Sequence, residues 1–384
     1  MPFVQAKCPM CGGMLAVDDS KKAAICQFCG DAFVVEEAVN NYITYNITNN
    51  NVDNSVSHNY GDGAVVNIYE NATNDFVIEG GVLKKYQGES LTPVIPEGVI
   101  AIEGGVFKNS MITAVTLPST LKEVRALKEG NTHIGVFYGC KHLKEIVLPK
   151  GFETISDYAF YECEGLVSIT IPDSVTSIGR YAFDSCTSLT SITIPDSVTS
   201  LGWGAFQYCK SLISITIPNS VTSIKQYAFE GCTSLTTITI PNSIVSIGKE
   251  AFKDCTNLTS IAIPNSVTSI EDYTFEGCTS LTTITIPNSI VSIGREAFKG
   301  CTSLTSITIP DSVTSIGISA FNGCTSLTSV TIPDSVSALG FGNTPWYEQR
   351  NNRMNNRLCL HCGGTFKGIF NPKCTKCGKP KDYL

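Results

Sequence analysis

The sequence predicts an α/β solenoid of mostly short parallel strands, with a small four-cysteine β-hairpin module at either end. Three observations predict it. Nine cysteines stand 23 residues apart from Cys140 to Cys324. A phenylalanine column (Phe137 to Phe321) and a proline column (Pro149 to Pro333) keep the same step with nine members each. Two CxxC pairs precede the periodic region and two follow it. A fixed period in the range of roughly 20–50 residues marks a chain whose units bury their apolar faces against their neighbours. The repetition also weighs against an enzyme, because catalysis needs a unique constellation and this chain repeats one surface.

The 384 residues carry a net charge of −7. The charge is uneven: from Phe341 onward eight Lys and Arg face Glu348 and Asp382, a local +6 that leaves −13 for residues 1–340. No stretch approaches the roughly 18 consecutive apolar residues of a membrane helix. Met1 to Met14 has no apolar core of the signal-peptide kind, so a cytoplasmic location is expected. The 17 cysteines divide into four, nine and four along the chain. Without a secretion signal, CxxC pairs read as metal or redox sites before disulfides.

Residues 1–39 form the first module. Cys8-Pro-Met-Cys11 and Cys26-Gln-Phe-Cys29 are separated by 14 residues, and each pair ends in glycine (Gly12, Gly30). Four thiolates in two knuckles supply the closed tetrahedral shell of structural Zn²⁺, and glycine suits the tight turn. Leu15 and Val17 fit a small hairpin. A thioredoxin-like βαβ context, which the redox reading needs, is absent.

Residues 40–75 come next, and 40–74 hold 11 asparagines among Tyr42, Ile43, Tyr45, Ile47, Val65, Val66, Ile68 and Tyr69. Two readings stand: a flexible polar linker, or a self-association segment whose strands pair between copies. Residues 76–95 read as a hairpin cap, two alternating runs around Gly80-Gly81.

The solenoid spans 96–340. Leu189, Ile192 and Ile194 give a short strand with Thr193 outward. Pro195 ends it, since proline cannot donate to a ladder. Asp196-Ser197 is turn chemistry, followed by inward Val198 and Leu201. Ala205, Phe206 and Cys209 fall at i, i+1 and i+4, the spacing of one short helical or 3₁₀ turn. At about 4.8 Å per coil, ten coils make a rod of roughly 50 Å. The column cysteines read as small buried packing residues; the competing readings, disulfides or a soft-metal ladder, meet an odd number and a reducing compartment. Residues 119–136 hold an eight-residue excess over the usual proline-to-phenylalanine gap. The run Phe229 to Gly248 recurs letter for letter as Phe275 to Gly294, so units have been duplicated as pairs. Gly340 to Pro345 breaks the pattern.

This repeat, with Ala-Phe and Cys in each unit, resembles the BspA-like type of leucine-rich repeat over about residues 90–340. The resemblance implies a right-handed curved solenoid with strands lining one face, in a family often found as bacterial surface proteins with adhesive or binding roles. The four-cysteine modules resemble zinc ribbons.

Residues 341–357 form a basic linker with Arg350, Arg353 and Arg357 on a helix after Trp346-Tyr347. Residues 358–384 form the second module: Cys359-Leu-His-Cys362 and Cys374-Thr-Lys-Cys377, separated by 11 residues, with Phe366 and Ile369 between. The expected cofactor is two structural Zn²⁺ per chain.

The outward strand positions (Ser191, Thr193, Ser214, Thr216, Thr237, Thr239) make a polar, uncharged carpet. Variation gathers around the Ala-Phe turn, where Tyr158, Tyr161, Tyr181, Trp203, Tyr208, Tyr227 and Tyr273 sit among charged residues. Such rings suit protein contact, and equally they cover the turn packing. The partner-binding candidates are Tyr181, Trp203, Tyr208, Tyr227 and Tyr273. The expected function is a non-enzymatic scaffold or adaptor that binds protein through the solenoid. The alternative is nucleic-acid association through residues 350–384, where Lys367, Lys373, Lys376, Lys379 and Lys381 cluster. A hydrolase finds little support, since His58, His133, His142 and His361 are scattered.

Overall fold

The computed structural model describes residues 75–130, 132–333, 336 and 338–355, with the strands Phe3–Lys7, Met14–Asp18, Ala23–Ile25, Ala32–Val34, Phe366–Lys367 and Lys373–Cys374. Residues 40–74, where the linker or self-association reading falls, lie outside them.

One coil shows the construction. Leu212, Ile215 and Ile217 point inward and are buried, while Ser214 and Thr216 face out. Ser214–Thr216 pairs in parallel with Thr237–Thr239, each residue opposite its equivalent one repeat on. Pro218 then turns the chain, with Val221 N–H returning to its carbonyl at 3.1 Å. A second parallel ladder follows, Ser223–Ile224 against Ser246–Ile247. The sequence reading placed Val198 and Leu201 inward after the proline without seeing this ladder, in which Ser200–Leu201 pairs with Ser177–Ile178. Two-residue strands are too short to announce themselves by alternation.

The third side corrects the α part of the expected fold. Among the described residues the turn carrying Ala-Phe is not helical. Tyr227 and Gly231 take left-handed φ of 63° and 69°, which ends any helical run. Tyr227, Phe229 and Gly231 donate their N–H groups to the carbonyls of Lys249, Ala251 and Lys253 at 3.1, 2.9 and 2.8 Å. A helix would use those donors internally; here they tie one coil to the next. The result is a parallel-strand β-solenoid, with its one described α-helix, α1 (Pro345–Asn355), after the last coil.

The core is a stack. Rings from Phe137 to Phe321 lie 5.0–5.7 Å apart and within 15° of parallel. Beside them the nine column cysteines are buried and unbridged. Each thiol donates to a phenylalanine carbonyl one coil back, as Cys163 Sγ does to Phe137 at 3.1 Å. Burial holds the Cys163 thiol well above its ordinary value, which disfavours the thiolate that a nucleophile needs.

Both ends are closed. Phe76–Glu79 and Val82–Tyr86 form an antiparallel hairpin around Gly80 and Gly81 (φ 56° and 75°), as a primed turn requires. The hairpin then pairs in parallel with Ala101–Ile102. The eight extra residues near the start make a second hairpin, Leu127–Glu129 with Thr132–Ile134. At the far end the pattern outlasts the period: Phe341 continues the ring stack 4.4 Å from Phe321, and Trp346 closes it edge-on at 5.0 Å. Thr344 Oγ1 caps α1 by accepting from Tyr347 N–H at 3.1 Å, with Pro345 in the first helical position. No helix among the described residues is long and apolar enough to cross a membrane.

In the terminal modules, Phe3–Lys7 pairs antiparallel with Met14–Asp18, Ala23–Ile25 with Ala32–Val34, and Phe366–Lys367 with Lys373–Cys374.

Candidate protein-binding surface

The turn ridge carries the chain's irregular chemistry, and its backbone explains how. Two positions per coil are left-handed. One is occupied by Tyr158, Tyr181, Gly204, Tyr227, Glu250, Tyr273, Glu296 and Ser319, with φ between 51° and 63°. The other is glycine in coil after coil (Gly139, Gly231, Gly277, Gly300, Gly323), with Glu162, Ser185, Tyr208 and Asp254 in the rest. A bulky residue in this region costs roughly 1–2 kcal/mol. Tyrosines therefore stand, as Glu250, Glu296 and Ser319 do, where glycine would be free of strain.

The expected residues separate into three environments. Tyr181 belongs to a cluster: it stacks on Tyr158 at 5.3 Å, Tyr158 meets Tyr161 at 5.6 Å, and Tyr161 stacks on Tyr138 at 4.7 Å. His133, from the inserted hairpin, lies parallel to Tyr158 at 5.9 Å. Trp203 and Tyr208 are the exposed pair, at 46% and 39%. The Arg180 guanidinium sits 5.2 Å over Trp203, and Tyr208 donates to Glu230 at 3.4 Å. Tyr273 lies between Lys253 and Arg295, 5.7 and 5.8 Å from its ring centre; Tyr227 is half-buried and outside the cluster. The rings also lean on neighbouring coils: a Cβ on Gly204 would come within 2.4 Å of the Tyr181 ring.

The sequence reading set the rings among charged residues but singled out neither Tyr138 and His133 as their neighbours nor Asp184 and Glu230 as the buried acids. The signal was present down one column, Tyr138, Tyr161, Asp184, Gln207, Glu230, Lys253, Glu276, Lys299 and Asn322, each 23 residues from the next. Asp184 is 6% exposed and Glu230 7%. Ser185 donates to Asp184 at 2.9 Å, and burial, reinforced by Glu162 and Glu230, pushes its carboxyl up to about 7. Burial likewise raises Glu230, which accepts from Gln207 at 2.5 Å, and burial with Asp184 and Glu162 beside it pushes Tyr161 up to about 12.

Further along the ridge the acids are paired. Lys253 reaches Glu250 at 3.2 Å and Glu276 at 3.4 Å, and Lys299 reaches Glu276 at 3.0 Å and Glu296 at 2.6 Å. Burial alone would lower the Lys253 amine, but Glu250 and Glu276 raise it.

The strand carpet is as expected in character: polar and exposed, with apolar interruptions at Val147, Val167 and Ile213. Its threonines turn inward chemically, as Thr259 and Thr282 donate to the preceding coil's carbonyls at 3.4 and 3.2 Å.

Cys8, Cys11, Cys26, Cys29, Cys359, Cys362 and Cys377 lie outside the described residues, and Cys374 is described as a strand residue only. Among the described residues no group of three His, Cys, Asp or Glu is placed to hold a metal. Of the basic tail, Arg350 packs 5.6 Å over Trp346, and residues beyond 374 lie outside the described set.

A family model for the BspA type Leucine rich repeat region (6 copies) matches residues 85–127, 132–259 and 222–343. Among solved structures, the chain is similar to a leucine-rich repeat protein from Bacteroides ovatus ATCC 8483, at 27% identity over 70% of this chain and 90% of that one, with a TM-score of 0.40. It is also similar to a leucine rich cell surface protein from Faecalibacterium prausnitzii A2-165, at 27% identity over 68% and 93%, TM-score 0.35. A leucine-rich repeat protein from Eubacterium ventriosum ATCC 27560 gives 25% identity over 66% and 80%, TM-score 0.43. No curated protein matches the chain.

Proposed function

The chain belongs to the BspA-type leucine-rich repeat family, and on that premise we propose that it is a non-enzymatic scaffold that binds a protein partner through the turn ridge. One observation carries the reading. Tyr158, Tyr181, Tyr227 and Tyr273 are held in left-handed backbone at positions where glycine would be unstrained, and the first two join a contiguous aromatic surface. Aromatic residues with a polar handle are enriched where proteins meet. The strand carpet offers no comparable anchor. Affinity capture from the native cell tests the choice of face. Alanine at Tyr158, Tyr161 and Tyr181 together is expected to lose the captured partner, with Trp203→Ala and Tyr208→Ala weakening it. Alanine at Thr237, Thr239 and Thr285 is expected to keep it. Full retention by the ridge variant rejects the ridge.

We also propose that Cys8, Cys11, Cys26 and Cys29 hold one structural Zn²⁺ and Cys359, Cys362, Cys374 and Cys377 a second. The supporting geometry is the pairing of Lys7 with Met14 and of Ile25 with Ala32, which brings together the two flanks of each N-terminal CxxC pair. Four thiolates leave no open position, so such zinc would stabilise folding and supply no catalysis. Elemental analysis of purified protein should give two zinc per chain, falling to one in a Cys8→Ser, Cys11→Ser variant; a metal-free protein refutes it.

A further inference from the structure

The ridge contains its own demonstration of how a cation binds there. At Lys253 the ammonium stands 3.2 Å from Glu250, 3.4 Å from Glu276 and 5.7 Å from the centre of the Tyr273 ring. Four repeats upstream, the same four positions hold Tyr161 for the lysine, Tyr158 for Glu250, Asp184 for Glu276 and Tyr181 for Tyr273. The ring and the carboxylate that face the lysine recur. The lysine does not; a tyrosine stands in its place.

We propose that the Tyr158, Tyr161 and Tyr181 face, with Asp184 beside it, receives a lysine or arginine side chain from a basic segment of a protein partner. This rests on the reading of the ridge as a protein-binding surface and names what that surface takes.

Three observations support it. First, Asp157 and Glu162 add negative charge to Asp184 within this stretch, and no ion pair reaches these three acids among the described residues. Arg180, over Trp203 at 5.2 Å, and Lys141, on Glu164 at 2.7 Å, stand close enough for their charge to be felt at Tyr158 and Glu162 but form no ion pair with the three acids. Second, tyrosine rings attract ammonium and guanidinium groups, more strongly where water is partly excluded; these rings are half-buried, and with Tyr158 stacked between His133 and Tyr181 the approach falls to Tyr161, which stacks on Tyr138 alone. Third, burial leaves Asp184 uncompensated and titrating near neutrality; an arriving cation supplies the charge that Lys253 supplies downstream. Ring faces offer no lone-pair shell of the six or more oxygens a calcium ion takes, which favours a side-chain cation over a metal.

The test uses the full chain and a short labelled peptide alternating lysine and glycine, with its lysine-acetylated twin as control. Fluorescence anisotropy should show binding of the first and loss of roughly tenfold or more for the second. Tyr161→Lys installs the chain's own ammonium at the position equivalent to Lys253, so it should fold normally by circular dichroism and lose peptide affinity by a similar factor. Asp184→Asn should weaken binding as well, and Lys253→Ala should leave it unchanged. Equal binding of the two peptides, or undiminished binding by Tyr161→Lys, overturns the proposal. If triple alanine at Tyr158, Tyr161 and Tyr181 still abolishes partner capture in that case, only the cationic assignment falls; if capture survives, the ridge falls too. A doubling of molar mass in light scattering that Tyr161→Lys abolishes would assign the cation to a second copy of this chain and overturn the separate partner.

Discussion

The two halves of the turn ridge share a backbone and differ in chemistry. From His133 to Glu230 the ridge is rings with Asp184 and Glu230 buried among them and, among the described residues, one ion pair, Lys141 with Glu164; from Lys249 to Lys299 it is an alternating ladder in which lysines bridge carboxylates of adjacent coils. Left-handed φ values match across the halves, 57° at Tyr158 and 59° at Tyr273. The phenylalanine stack beneath runs on without a break. A solenoid therefore separates two tasks that a compact domain entangles. Its core columns fix the coil, and its ridge columns can change letter by letter while the coil stays put. One half closes its charges in ion pairs, and the other buries Asp184 and Glu230 without one among the described residues.

The largest test asks whether the scaffold is the same under both halves. Phe183→Ala and Phe275→Ala remove equivalent, fully buried rings and are each expected to cost about 3–5 kcal/mol in urea titrations. A clear inequality would break the assumption of one uniform core.

The second asks whether the acids behave oppositely. Asp184 has its carboxyl raised to about 7 in the folded chain. A raised acid contributes stability below its unfolded value, and that contribution is lost as pH rises through the window up to about 7. Asp184→Asn should therefore raise the melting temperature at pH above neutrality, by an amount equivalent to roughly 1–3 kcal/mol, and change little in acid. Equal effects at both ends of the range would contradict the buried, unpaired carboxylate.

The third concerns glycines. Gly204→Ala forces a methyl onto the Tyr181 ring at 2.4 Å in left-handed backbone, whereas Gly300→Ala meets nothing closer than 3.8 Å. Thermal melts should show Gly300→Ala costing roughly 1–2 kcal/mol from backbone strain alone, and Gly204→Ala more. The reverse order would mean that Tyr181 does not lie over Gly204.

The smallest effect belongs to the ladder. Lys299 and Arg295, with burial opposing, hold Glu296 below its ordinary carboxylate range. Its stabilisation is present at neutral pH and lost as pH falls through that range. Because its partners are largely exposed, Glu296→Gln should cost under about 1 kcal/mol at pH 7, less in high salt, and nothing in acid.

Legibility in the sequence followed repetition. Phe229, Cys232 and Pro218 recur as columns, and their burial follows from the period alone. Gly80-Gly81 announced its hairpin because two consecutive left-handed residues need that dipeptide. The Ala-Phe turn misled, since Ala228, Phe229 and Cys232 have the spacing of a helical turn and of two successive left-handed turns alike. The discriminating hint was the column holding Gly231, Gly277, Gly300 and Gly323. The aromatic cluster was hidden for a different reason. Apart from Tyr158 and Tyr161 within one turn, these rings touch only once coils are stacked: Tyr138 meets Tyr161, and Tyr158 meets Tyr181, across a whole repeat. His133 joined them through an insertion that has no counterpart in the other coils.

The thiol ladder has a practical reach beyond packing. Every column cysteine is sealed by its own coil and hydrogen-bonded to the coil before it. Alkylating reagents therefore meet nine evenly spaced sensors that stay silent until a coil opens. The position of each adduct, read by peptide mass, would tell from which end the rod unzips, and the number of adducts per molecule how far it went. The molecule carries an odometer for its own unravelling.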